Sequence, residues 1–263
     1  MLGKLLKYDL KWIYKVVVVF YILALIFSVI ARCCNSIDNS MLFAVLGQIA
    51  SGFAISMMIS SLINSWMRSW ARFIRNIYKD ESYLTHTLPV EKKKIYLSKV
   101  LSAIICAFTT VVVSVACLFI CYYSKENVEF IKGTLELTAN TYNTTAVNLL
   151  LIVSFILFLE IVFILLIGYV GIIIGHQSNK NKMIKTIVIA FSLYILTTIV
   201  TLLIIFIIGI FNHDVMNIIN TTDMINVNVI KTIMIIGIVI YAVYNIIYYF
   251  IGQWQLEKGV NVD

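Results

Sequence analysis

Residues 147–175 read VNLLLIVSFILFLEIVFILLIGYVGIIIG, with Glu160 as the sole charge in the run. A strand in a barrel would alternate apolar and polar residues and cross a bilayer in about 9–11 residues. This run is continuous and far longer. It meets the requirement of a transmembrane helix, about 20 mainly apolar residues. Runs of the same kind lie at about 14–31, 41–66, 97–123, 184–211 and 230–252. The 263-residue chain is 61% hydrophobic and 13% charged, against about 45–50% and about 25% in soluble domains. The expected fold class is an all-α integral membrane protein: six transmembrane helices in one domain over 1–263, without internal repeat or low-complexity linker.

The basic residues orient these spans. The N-terminus holds Lys4, Lys7, Lys11 and Lys15. The segment between spans two and three holds Arg68, Arg72, Arg75, Lys79, Lys92, Lys93, Lys94 and Lys99, and Lys180, Lys182, Lys185 and Lys258 fall on the same side. Of 20 Lys and Arg residues, that leaves Arg32, Lys125, Lys132 and Lys231 for the other. The positive-inside bias therefore puts both termini and the 66–97 loop in the cytoplasm. The net charge of +7 follows the spans and forms no separate basic domain, which excludes a nucleic-acid partner. The outer loops are then about 32–40, 124–146 and 212–229, the longer two rich in Asn and Thr. No cleavable signal sequence is evident at the N-terminus.

Two cytoplasmic elements are amphipathic. Over residues 1–15, Leu2, Leu5, Leu6, Leu10 and Ile13 recur at helical spacing, while Lys4, Lys7, Lys11 and Lys15 form a charged face. This predicts a helix lying in the interface against anionic headgroups or a partner. After span two, Trp66, Trp70, Phe73 and Ile77 define one face and Arg68, Arg72, Arg75 and Lys79 another, as expected of a helix leaving the bilayer through an aromatic belt. The chain then reads DESYLTHTLPVEKKK (80–94), with its only proline at Pro89. Asp80-Glu81-Ser82 suits the start of a short helix. Tyr83, Leu84 and Leu88 are apolar anchors, and Pro89 forces a break before a returning helix. The expectation is a compact knob on two stiff stalks.

Within the spans, Glu160 is costly and a functional candidate: it lines a translocation path, carries a proton, or hydrogen-bonds a neighbouring helix while protonated. Gly52, Ser56 and Ser60, and Gly171 and Gly175, are spaced for close helix approach, in a helix pair or a dimer interface. Gln48, Asn64 and Asn245 are expected to bond between helices. The five cysteines form no metal-type CxxC pair; Cys106 and Cys117 read as core residues, and Cys33, Cys34 and Cys121 lie near one face, where a bridge is conceivable. His86, His176 and His213 are far apart in sequence. No H-E-x-x-H, G-x-S-x-G or G-x-x-x-x-G-K-[ST] signature occurs, so the chain is not expected to be an enzyme or to hydrolyse ATP by itself.

The order of these parts resembles the permease subunits of small bacterial type-2 ABC exporters. MLGKLLKYDLK is similar to that family's opening, RFIRNIYKDESYLTHTLPVEKKKIYLSKVLSA (72–103) to its coupling loop and third span, and LEKGVNVD to its ending. The resemblance implies a multi-pass protein of the bacterial cell membrane, paired with a second permease subunit, identical or homologous, and with two ABC ATPase subunits that bind ATP and Mg; this chain would hold no cofactor. Residues 80–89 would dock on the ATPase, with Tyr83, Leu84 and Leu88 as anchors, Asp80, Glu81 and His86 as polar contacts, and Thr85 and Pro89 completing the segment. Lys4, Lys7 and Lys11 of the elbow and Arg68, Arg72 and Arg75 of the stalk would transmit motion, and the cargo class would be amphipathic or antimicrobial peptides. Two other readings stay open: an ion-coupled secondary transporter using Glu160, which should show related halves, and a membrane scaffold or sensor whose loop recruits another protein.

Overall fold

The computed structural model describes residues 2–37, 40–87, 89–211 and 227–259, with side chains from 231 onward in the last segment. Among them are helices α1 (Leu2–Asn35), α2 (Met41–Ile77), α3 (Ser82–Thr87), α4 (Lys92–Tyr122), α5 (Lys125–Thr141), α6 (Ala146–His176), α7 (Lys182–Phe211) and α8 (Val227–Lys258), and no strand. Six are long and apolar enough to cross a membrane: α1, α2, α4, α6, α7 and residues Lys231–Lys258 of α8. The chain divides into two compact units, Met1–Phe130 and Ile131–Asn261.

In the first unit α1, α2 and α4 pack on one another, and α3 rests on α2. The interior is built from small side chains. Ala24, Ala54, Met58 and Cys117 form one buried cluster, Ile13, Val17 and Cys106 a second, and Ala31, Ala50 and Cys121 a third. Larger residues such as Val18, Ile22, Leu25 and Ile26 point outward. In lipid this distribution is sensible: the hydrocarbon solvates Leu and Ile as well as a protein core does, so close backbone approach over small residues is what holds helices together. Tyr14 and Tyr21 tie α1 to α4 through their hydroxyls, 2.7 Å from Thr109 Oγ1 and 2.6 Å from Thr110 Oγ1 respectively. All five cysteines are free thiols, and Cys121 is buried.

In the second unit α6 packs against both α7 and α8. Gly171 and Gly175 permit the α6–α7 crossing. A Cβ on Gly171 would sit 2.7 Å from Ala190 Cβ and 3.1 Å from its Cα, and one on Gly175 would sit 2.7 Å from Thr186 Cα. Gly171→Leu is therefore expected to push the two helices apart at a cost of about 1–3 kcal/mol. Gly52→Leu meets open space and is expected to leave stability unchanged; thermal unfolding of the two purified variants checks the contrast.

Three expectations are modified. No break separates an interfacial helix 1–15 from the first span: α1 runs uninterrupted for 34 residues, about 50 Å at 1.5 Å per residue. Residues 125–141 of the anticipated outer loop are helical. Gly52 and Ser56 face outward and mediate no close approach within their unit. Residues 212–226, most of another outer loop and including His213, lie outside the described residues.

Candidate functional site

The knob predicted from 80–94 is a six-residue helix, α3, reached through a tight turn. Tyr78 N–H and Lys79 N–H both donate to Ile74 O, at 2.9 and 3.2 Å, and Ser82 N–H donates to Lys79 O at 2.7 Å. Phe73, Ile77 and Tyr78 are buried beneath it. Phe73 meets Tyr78 and Tyr96 edge-on at 6.2 and 6.3 Å, tying the stalk of α2 to the start of α4. Burial pushes the Tyr78 hydroxyl well above the ordinary phenol range, so it is neutral.

A buried ionic network holds this end of the unit. Asp9 is 1% exposed. Its Oδ1 accepts from Arg72 Nε at 2.9 Å and from Lys99 Nζ at 2.6 Å, and its Oδ2 accepts from Ser98 Oγ at 3.2 Å. The same guanidinium reaches onward: Arg72 Nη1 donates to Glu81 Oε2 at 2.7 Å, where Asn76 Nδ2 also donates at 3.0 Å. Arg75 Nε lies 3.3 Å from Glu81 Oε1 and 3.4 Å from Asp80 Oδ2. Asp9 and Glu81 thus balance Arg72 and Lys99, as charges withdrawn from water require, while Arg75 and Asp80 lie at the exposed edge of the network. One turn along α1, Trp12 receives Arg68 on its ring face at 3.7 Å, and Arg72 lies 5.6 Å from the same ring centroid.

Through Arg72, then, Glu81, the residue before α3, is joined to Asp9 of α1 by two charge-assisted contacts and to Lys99 of α4 by a third.

Each sequence-derived candidate can be located. Tyr83 and Leu84 are exposed, at 78% and 66%. Asp80 and Pro89 are exposed as well, whereas Leu88 lies outside the described residues. Thr85 is buried and donates through its hydroxyl to Glu81 O at 2.9 Å. Glu81 is half-buried and serves Arg72 and Asn76, while His86 is exposed and its Nε2 donates to Ile77 O at 3.2 Å. Arg72, expected on an exposed basic face with Arg68 and Arg75, is buried because Asp9 draws it in. Lys4, Lys7 and Lys11 are exposed. Glu160 is half-buried on α6, with no hydrogen bond or ion pair among the described residues.

Sequence reasoning missed Asp9, Trp12, Ser98 and Lys99. The signal was present for Asp9: it stands four positions before Ile13 on the buried stripe, opposite the lysines. Lys99 likewise shares the buried face of α4 with Tyr96, Val100 and Ala103. Each breaks an apolar face with a charge of opposite sign to the other.

Fold and site together define an all-α chain with the build of a multi-pass membrane protein, carrying a small, charge-braced helix between its second and third long helices. No protein-family model, characterised protein or solved structure matches the chain.

Proposed function

We propose that the chain is the membrane-spanning permease subunit of an ATP-driven exporter, driven through α3 by separate ATPase subunits. Both termini and α3 lie on the cytoplasmic side in this reading, on the strength of the Lys/Arg distribution. The lysine-rich start of α1, with Lys4, Lys7 and Lys11 exposed, rests among anionic headgroups and serves as the elbow. Two ATPases bind ATP and Mg, two permease subunits pair, and the cargo class is amphipathic peptides.

One observation carries the reading. Tyr83 and Leu84 stand exposed on a six-residue helix that packs on α2 and is preceded by Glu81, which is paired with Arg72 and through it with Asp9 of α1. An exposed apolar pair outside the spans suits a partner's pocket, and a rigid mount suits force transmission. A floppy recruiting loop needs no Asp9–Arg72–Glu81 brace, and the description of a scaffold leaves it unexplained.

The test is a photo-activatable residue substituted at Tyr83 in native membranes. It is expected to capture a protein carrying a G-x-x-x-x-G-K-[ST] loop, the phosphate-cradling element this chain lacks. Capture of a protein without such a loop, or of lipid alone, overturns the proposal.

A further inference from the structure

At the start of α6, in the second unit, the chain makes a fixed turn. Asn143 is left-handed (φ 44°), its N–H donates to Asn140 O at 3.0 Å, and Thr144 N–H donates to Ala139 O at 2.9 Å. These two bonds close the end of α5. Thr145 Oγ1 then accepts from Asn148 N–H at 3.3 Å and caps α6. Tyr142 and Thr144 are thereby held in place just before the first turn of α6.

Both residues line a cleft of about 160 Å³ that runs between the beginnings of α6 and α8. Its wall is apolar: Leu149 and Ile152 come from α6, and Met234, Ile235 and Ile238 from one face of α8. Lys231 completes the lining on that same face of α8, at its N-terminal end. Ile238 lies about 10 Å further along the helix, at 1.5 Å per residue. The polar lining residues Tyr142, Thr144 and Lys231 therefore share one end of the cleft, and aliphatic side chains alone continue from it. Lys231 is half-buried and has no ion pair among the described residues. Its methylenes belong to the wall, while its ammonium group, too costly to leave in an apolar slot, reaches to the mouth.

We propose that this cleft seats one acyl chain of an anionic phospholipid, with the lipid phosphate against Lys231. An apolar slot along two spans takes an alkyl chain, and a lysine without an acid at its mouth takes an anion. A phospholipid supplies both at one geometry: the chain lies along the helices, the head stays at the interface, and the second chain remains in the bilayer. A zwitterionic head brings its own cation beside Lys231 and loses most of the attraction. The bonded turn at Asn143 holds Tyr142 and Thr144 in position before the lipid arrives, which lowers the ordering cost of binding. By the Lys/Arg distribution this end of the spans faces outward, where Lys231 is one of only four cations.

The site needs no partner protein, so its failure leaves the coupling role of α3 untouched. The full chain is reconstituted in phosphatidylcholine nanodiscs doped with phosphatidylglycerol that carries a diazirine midway along one chain. After irradiation the labelled peptides are mapped. Label is expected on 149–152 and 234–238, at least about fivefold above that from diazirine phosphatidylcholine of the same chain length, the preference one lysine confers on an anionic lipid. Lys231→Gln keeps the methylenes, removes the charge and is expected to reduce labelling to the phosphatidylcholine level. Ile235→Trp is an independent variant: Ile235 is 62% exposed and lines the cleft, so an indole there fills the slot and should remove the label at both segments. Equal labelling by the two lipids, or unchanged labelling in Lys231→Gln, overturns the proposal and leaves an unspecific apolar crevice. Loss of the label on adding an equimolar amount of oleate also overturns it, by assigning the cleft to a free fatty acid.

Discussion

Asp9→Ala is expected to destabilise the protein by about 3–5 kcal/mol, the cost of leaving buried charges without their partner. Asp9 accepts from Arg72, Lys99 and Ser98 in a site where the Asp9 and Lys99 side chains are only 2% and 4% exposed. Removing it takes away the carboxylate that Arg72 and Lys99 share, while Arg72 keeps its pair with Glu81. Against a total stability of about 5–15 kcal/mol, this is a loss visible in any thermal or denaturant unfolding curve of the purified chain. The Arg75–Asp80 pair provides the contrast: both side chains are largely exposed, at 47% and 72%, so Asp80→Ala should cost about 1 kcal/mol or less. The double variant Asp9→Leu with Lys99→Met tests the cause. It removes one charge of each sign, leaves the Arg72–Glu81 pair intact, and is expected to recover most of the loss, since apolar replacement of a whole buried pair is often neutral. An Asp9→Ala chain that unfolds like the wild type would show that the network contributes nothing.

The same network marks the limit of what the sequence could tell. The long helices were legible because each apolar run exceeds what any strand or soluble helix needs, and their length alone decides the matter. The knob was legible because Pro89 and the Asp80-Glu81-Ser82 start are local signals, and local signals act within a few residues. The Gly171–Gly175 pair was read correctly as a close-packing face, whereas Gly52 and Ser56, of the same spacing, face outward. Spacing shows that a face is small; it does not say which neighbour will use it. Arg72 illustrates the larger difficulty. By periodicity it belongs with Arg68 and Arg75 on a basic face, and only Asp9, 63 positions away, draws it inside. Glu81 follows Arg72 inward for the same reason. Long-range charge pairing overrides helical periodicity because a half-neutralised buried ion costs far more than a face of mixed polarity. Glu81 was thus drawn into the fold, while the apolar pair Tyr83 and Leu84 stayed exposed, as did Asp80 and His86.

That division determines the second large effect. If α3 docks on an ATPase as proposed, Leu84→Asp is expected to abolish that association while leaving the membrane subunit intact. Leu84 is 66% exposed, so its replacement removes no interior contact and the unfolding curve should not move. In the complex its side chain would enter the partner's pocket, where an anchor residue typically carries about 2–4 kcal/mol, and a buried carboxylate without a cation adds its own penalty. The expected weakening is at least about 30- to 1,000-fold at a factor of ten per 1.4 kcal/mol. Lys79→Ala, exposed on the preceding turn, should change affinity little. The measurement is copurification of the ATPase with each variant from native membranes, together with ATP-dependent transport. The ordering of variants also separates brace from anchor. Asp9→Ala should lower stability, whereas Leu84→Asp should lose the partner at unchanged stability. If Leu84→Asp retains its ATPase and transports normally, α3 is not the handle, and the exposed Tyr83–Leu84 pair must serve some other contact.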